Sequence, residues 1–191
     1  MGTTRLLLVR HGVTEWSASR RHTGRTDVPL TPEGEDQARA LADALPLDGL
    51  AAVWASPLVR AQETARLAGL RIDGTDPDLA EWDYGAIEGR TTAEIREEGD
   101  PRWTVWDGPV EGGESVSSVG SRVDRVLERT REVDGTVVLV AHAHLLRILA
   151  ARWLGLPAVA GRHLTLDAGG WALLGWERET PVIERWNPPP V

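Results

Sequence analysis

A three-layer α/β/α sandwich on a mainly parallel sheet, with antiparallel strands at one edge, is the fold class this sequence predicts. Three observations predict it. Short apolar runs alternate along the chain with segments of helical spacing, the pattern of strands joined by crossover helices. Two of those runs, RLLLVR and TVVLVA, are apolar at nearly every position, as strands covered on both faces must be. The last segment, from His163 to Trp186, carries strands without intervening helices and so belongs at an antiparallel edge.

The elements follow in order. Thr4 to Arg10 reads as the first core strand. LTPEGEDQARALADAL reads as a helix, with Thr31 as N-cap, Pro32 in the first helical position and Ala38, Leu41, Ala42 and Leu45 on one face. Leu50 to Ser56 is a second strand. The segment from Pro57 to Gly69 is a second helix, closed by its glycine. Between Asp73 and Gly113 the pattern weakens, leaving one short helical piece at TAEIREEG. Val116, Val119, Val123, Val126 and Leu127 restore helical spacing. TVVLVAHA is then the strongest strand of the chain, and HLLRILAARWLG a helix ended by Gly155. Gly169-Gly170 is the expected hairpin turn of the final strands. No repeat, linker or composition break divides the 191 residues. They read as one domain, residues 1–191, with a short lid insertion at about 90–115 and a tail, 187–191, expected to fray.

Composition excludes several chemistries. A formal net charge of −8 opposes a nucleic-acid backbone or an anionic membrane as partner. All 21 basic residues are arginine, so a lysine-dependent phosphate loop, a Schiff base and pyridoxal phosphate attachment are excluded. Cysteine is absent, which removes disulfides, thiolate metal sites and thiol nucleophiles. The opening apolar run is too short for a signal peptide, Leu6 stands where a myristoylation signal needs Ser or Thr, and no stretch could span a membrane. A cytoplasmic protein is expected.

Sites in open parallel sheets form beyond the carboxyl ends of the strands, which directs attention to Arg10-His11-Gly12 and His142-Ala143-His144. A neutral imidazole there can attack phosphorus, the arginine fork matches phosphate oxygens, and Gly12 lets backbone approach a ligand closely. His142 and His144 share a face if the strand reaches them. A metal pair is the weaker reading because Leu145, Leu146 and Arg147 offer no further ligand; His142 instead faces His11 and donates to a phosphoryl oxygen. Arg60 falls in the first turns of a helix, where anions are favoured. Glu81, Asp83 and Glu88 lie in a loop beside Trp82 and Tyr84, a setting that raises a carboxyl pKa and suits a general acid.

Together the blocks VRHGVTEW, TGRTDVPLTPEG, SPLVRAQETA, LAEWDYGAIEG and VAHAHLLRI, in that order, resemble the histidine phosphatase superfamily in its phosphoglycerate-mutase-like branch, closest to acid phosphatase and sugar bisphosphatase members. The resemblance implies that His11 becomes a phosphohistidine and that Arg10, Arg60 and His142 bind the phosphoryl group. Glu81 is implied as proton donor, with Asp83 the fallback. Thr23 and Gly24 are implied to line the substrate, and Ala143 to offer a backbone N–H. Ser17, where many mutases carry Asn, can still donate to phosphate with a shorter reach, and His144 is either a substrate contact or merely a helix-start residue. No cofactor or metal is implied; the ligand is a small phosphorylated metabolite, and a homodimer is left open. The lid holds only scattered Arg90, Arg96 and Arg102 among Trp, Gly and acidic residues, too little basic character for a mutase. A phosphatase is therefore the expected activity, a cofactor-dependent phosphoglycerate mutase the alternative, and an inactive phospho-ligand binder the remote one. Trp16, Tyr84, Trp103 and Trp106 are candidates for an apolar wall around the leaving group, and Trp82 and Tyr84 for substrate binding.

Overall fold

The computed structural model describes residues 4–189. Residues 1–3, read above for a leader or acylation signal, and residues 190–191 of the tail lie outside the described residues. In chain order the elements are β1 (Arg5–Arg10), α1 (Glu15–Ala18), α2 (Pro32–Ala44), β2 (Leu50–Ala55), α3 (Val59–Leu67), β3 (Gly74–Thr75), α4 (Thr92–Glu98), α5 (Val116–Thr130), β4 (Thr136–Ala141), α6 (Ala143–Trp153), β5 (Trp171–Glu177) and β6 (Thr180–Trp186). They form one six-stranded sheet in the order β3-β2-β4-β1-β5-β6. β1, β2, β3 and β4 run parallel to one another; β5 pairs antiparallel with β1, and β6 with β5.

Strand alternation sorts the core into two layers. Leu6 and Leu8 of β1, with Val137 and Leu139 of β4, pack against Val119, Val123 and Val126 of α5 and Leu145, Leu146 and Leu149 of α6. Leu7 and Val9, with Val138 and Val140, pack on the other face against Leu41 of α2 and Ala61 and Ala65 of α3. β4 is buried at all six positions, as its unbroken apolar run requires. Thr31 caps α2 through Gly34 N, with Pro32 at the start of the helix as expected.

Two expectations change. β4 stops at Ala141, so His142 is the N-cap of α6 and His144 lies in its first turn; the two do not share a strand face. Gly169-Gly170 is not the hairpin turn. Gly169, with φ +67°, steers the chain alongside β1, where Gly169 N donates to His11 O and Arg10 N to Gly170 O. The β5–β6 hairpin turns at Arg178-Glu179, and Arg178 itself adopts φ 57°, a left-handed position that the absence of Gly or Asn concealed. At the head of the tail expected to fray, Asn187 N donates to Trp171 O, and its side chain bonds Asp167 N and Thr165 O.

Candidate active site

β1 and β4 are adjacent and parallel, with Arg10 level with Ala141. The residues that follow each strand therefore emerge side by side, and the His11 and His142 rings lie 5.1 Å apart, edge to face. His11 N donates to Ala141 O at 3.1 Å, which ties the two strand ends together.

His11 is 5% exposed, and its Nδ1 sits 2.7 Å from Gly12 O. A carbonyl oxygen only accepts, so Nδ1 carries the hydrogen and Nε2 keeps its lone pair. Burial first, then Arg10 and Arg60, hold the His11 pKa well below the usual imidazole range, so the ring is neutral. Packing alone requires a glycine at position 12. A Cβ there would meet Gly34 O of α2 at 2.2 Å, and one on Gly34 would meet Val13 O at 2.1 Å.

His142 is wholly buried, and both its nitrogens are engaged. Arg60 Nε donates to its Nδ1 at 3.2 Å, which leaves the hydrogen on Nε2, 2.7 Å from Ser56 Oγ. Arg60 is equally buried; its other nitrogens donate to the carbonyls of Thr23, Gly24 and Thr26. That loop is held in turn by Glu88, whose Oε1 accepts from Gly24 N and Thr26 N, both at 2.9 Å. Gly24 serves packing here, because a Cβ would meet Trp82 O and Glu88 Oε2 at 2.6 Å.

Glu81 caps α6 from outside the helix. Its Oε1 accepts from Trp82 N and Leu145 N, and its Oε2 from His144 N, at 2.9–3.1 Å. The helix lacks a side-chain cap of its own, so this carboxyl satisfies two donors that would otherwise be orphaned. Burial pushes the Glu81 pKa up, against the downward pull of those N–H groups and Arg60. The loop that carries it is clamped by Arg122, which donates to the carbonyls of Asp78, Ala80 and Glu81 while paired with Glu114 at 2.7 Å. Asp83, the fallback acid, is paired with Arg25 at 2.8 Å, and its Oδ1 accepts from Gly85 N.

These groups border a cavity of about 820 Å³ lined by Arg10, His11, Ser17, Thr23, Glu81, Tyr84, Ala143 and His144, among others. Arg60 and His142 lie behind its floor, where the sequence placed them in direct reach. Arg10 Nη1 donates to Leu166 O at 2.6 Å, and its Nε is buried with no partner among the described residues. An orphaned guanidinium N–H beside a neutral imidazole is suited to an anionic oxygen. Ser17 lines the cavity, but its hydroxyl accepts from Thr14 N and donates to Thr14 O, so the expected phosphate contact is spent on capping α1.

The aromatic wall is smaller than the sequence implied. Tyr84 and Trp106 line the cavity, with His22 and His144 completing the cluster; the Tyr84 hydroxyl and His144 Nδ1 are hydrogen-bonded at 2.6 Å. Trp82 is buried behind them, with Nε1 donating to Glu114 O. Trp103 packs edge-on against His22, and Trp16 lies against Gly89. His22, Arg122 and Arg147 were missed as site residues, and Glu88, read as a candidate acid, instead holds the loop around Gly24. Arg147 had a signal, since it sits three residues after His144 on the same helical face. Among the described residues, no three His, Asp or Glu side chains converge to hold a metal ion.

Comparison with known proteins places the chain in a family. The family model of the histidine phosphatase superfamily (branch 1) matches residues 6–189, and the chain belongs to that family. It is similar to an acid phosphatase of Mycobacterium tuberculosis (41% identity over 178 residues; 91% of this chain, 87% of that one) and to sedoheptulose 1,7-bisphosphatase of Saccharomyces cerevisiae (35% over 187 residues; 81% and 69%). It is also similar to an Enterobacter protein named "probable phosphoglycerate mutase GpmB" (39% over 190 residues; 94% and 88%). A solved open reading frame product of Mycobacterium tuberculosis superposes with a TM-score of 0.88 at 38% identity, covering 96% of this chain and 97% of that one. The protein is a phosphatase of this superfamily. Among the described residues no helix is long and apolar enough to cross a membrane.

Proposed function

We propose that the chain hydrolyses phosphomonoesters of a small cytoplasmic metabolite through a phosphohistidine on His11, without a metal ion. One observation carries the reading: His11 Nδ1 is spent on Gly12 O, which leaves the Nε2 lone pair free beside an Arg10 whose buried Nε lacks a partner. In the first step Nε2 attacks phosphorus, the ester O–P bond breaks, and the Glu81 proton moves to the departing oxygen. Arg10 holds the equatorial oxygens. Arg60 adds positive potential from behind, and the Nε2–H of the neutral His142, now given to Ser56, reaches a phosphoryl oxygen by exchange of that partner. In the second step Glu81, now ionised, takes a proton from water as the water oxygen attacks phosphorus. The N–P bond breaks, and inorganic phosphate leaves with His11 neutral and Glu81 protonated again. Ala143, Thr23 and His144 border the site of the leaving group.

One observation favours a mutase as the second reading. Arg20, Arg21, Arg96 and Arg147 line the cavity besides Arg10, so it is far more basic than the composition of the lid implied. The two readings separate in one assay, phosphate release from a panel of phosphoesters between about pH 5 and 7.5 without added metal. Hydrolysis of several esters, abolished in His11→Ala, is the expected result. Interconversion of 3- and 2-phosphoglycerate with a bisphosphate primer, and no hydrolysis, would overturn it in favour of the mutase.

A further inference from the structure

The peptide between Gly12 and Val13 carries the carbonyl that decides where the hydrogen of His11 sits, and one side chain outside the loop holds that peptide. Gly12 O accepts from His11 Nδ1 at 2.7 Å. The N–H of the same peptide belongs to Val13 and donates to Gln37 Oε1 of α2 at 3.0 Å, its one acceptor among the described residues. A peptide group is planar and trans, so fixing the direction of its N–H also fixes that of its C=O. Gly12 cannot hold the plane unaided, because glycine leaves the backbone freer to rotate than any other residue does.

The neighbouring peptides are tied by other groups. Gly12 N donates to Thr64 Oγ1 at 3.1 Å, His11 O accepts from Gly169 N at 3.0 Å, and Val13 O accepts from Thr31 N at 2.9 Å. Gln37 is therefore the tie specific to the middle peptide. The fold makes room for it. Gln37 follows Gly34 by three residues, on the face of α2 that meets Val13. Gly169 leaves space behind it, since a Cβ there would meet Gln37 Cβ at 2.9 Å. Gln37 Nε2 lies 3.5 Å from Glu33 Oε1, so each end of the amide faces a group of the opposite kind.

Hydrogen bonds in series through one peptide polarise one another. Engaging the Val13 N–H makes Gly12 O a stronger acceptor for His11 Nδ1–H, and the partner of one ring nitrogen sets the state of the other. We infer that Gln37 is a positioning residue for phosphoryl transfer: it holds the Gly12–Val13 peptide so that Gly12 O fixes the tautomer and the orientation of the His11 ring. Gln37 itself is half-buried and is not among the residues lining the reaction cavity, so it acts only through that peptide. Its effect on rate rests on the phosphohistidine reading of His11, whereas its effect on the ring does not.

The test reads both. Gln37→Leu removes the acceptor and is expected to lower kcat on a phosphomonoester about ten- to a hundredfold, with KM within about threefold. One lost hydrogen bond at a half-buried site leaves the melting temperature within a few degrees of wild type. Gln37→Glu keeps an oxygen at the same reach and restores most of the rate. Gln37→Met, of similar length, is the second apolar variant if Gln37→Leu does not fold. In parallel, NMR of isotope-labelled histidine nitrogens follows His11, whose signals are assigned by their absence from His11→Ala. The wild type and Gln37→Glu are expected to show hydrogen on Nδ1 alone, and the apolar variants a mixture of tautomers. A wild-type kcat in the apolar variants overturns the inference, as does a reduced kcat with unchanged His11 signals or an equal loss in Gln37→Glu. If the wild type turns over no phosphoester, the hydrolase reading falls, and the nitrogen signals alone decide whether Gln37 holds the ring.

Discussion

At the scale of single residues, Glu81 carries two functions on one carboxyl group, and they can be separated. It caps α6 through the N–H groups of His144 and Leu145, and in the proposed reaction it delivers the proton. Glu81→Gln keeps an acceptor for the helix but has no proton to give. The variant is expected to melt within a few degrees of wild type and to lose about 10²–10⁴-fold on alkyl phosphates, much less on esters with good leaving groups. Full retention on an alkyl phosphate, with loss in Asp83→Asn, would transfer the role to Asp83. The pH dependence follows from the same groups. Burial lowers the His11 pKa and raises that of Glu81, so kcat/KM rises with pH as His11 becomes neutral and falls as Glu81 ionises. A bell-shaped profile centred on the acidic side of neutrality is expected, and Glu81→Gln flattens its alkaline limb. Of these residues, His11, Arg10 and Glu81 were legible from sequence because strand ends and a desolvated loop acid leave local patterns. The partners that decide their protonation were not: Gly12 O, the Glu88 clamp on the loop around Gly24, and the Arg122 clamp are set by tertiary contacts between segments far apart in the chain.

At the scale of elements, the close approach of α2 to the end of β1 fixes where His11 sits. The contact is backbone against backbone, Gly12 on Gly34 and Gly34 on Val13, so neither side can yield by a rotamer change. Gly34→Ala is expected to cost about 1–3 kcal/mol in urea unfolding and to lower kcat by displacing the nucleophile. A variant of wild-type stability and rate would show that the two elements slide freely. β1, β2, β4, α2, α5 and α6 were legible because their apolar periods were long, and Thr31 marked the start of α2. β3, of two residues, and α1, one capping-box turn, carry too few residues to show a period. The strand read through His142 and Ala143 illustrates the opposite error. The apolar pattern continues, but Glu81 accepts from the backbone beyond it and holds the start of a helix there.

For the molecule as a whole, the site places ionisable groups where they cannot ionise freely, and this shapes its stability. Burial is the leading cause that lowers the pKa of His11, His22, His142 and His144. The unfolded chain binds more protons than the folded one once pH falls below the ordinary imidazole value of about 6.5, so folding stability drops with pH from there. Glu81, whose pKa is raised, acts in the opposite direction between its unfolded and folded values, but one carboxyl opposes four imidazoles. The melting temperature is therefore expected to fall between about pH 7 and 5 even as turnover per folded molecule increases, and a flat or rising curve would contradict the buried neutral histidines. The fold class and the parallel-plus-edge sheet were legible in the alternation of the chain. The basic cavity was not, because Arg20, Arg21, Arg96 and Arg147 belong to three separate segments that only the folded chain brings together. The central claim is the covalent bond between His11 and phosphorus. Its most direct test is mass analysis of wild-type enzyme quenched in alkali during turnover of a phosphomonoester, with the labelled peptide mapped. The account predicts a phosphoryl group on His11 that is lost in acid and absent from His11→Ala. Turnover with no phosphoenzyme, or with the phosphoryl group on another residue, would contradict it.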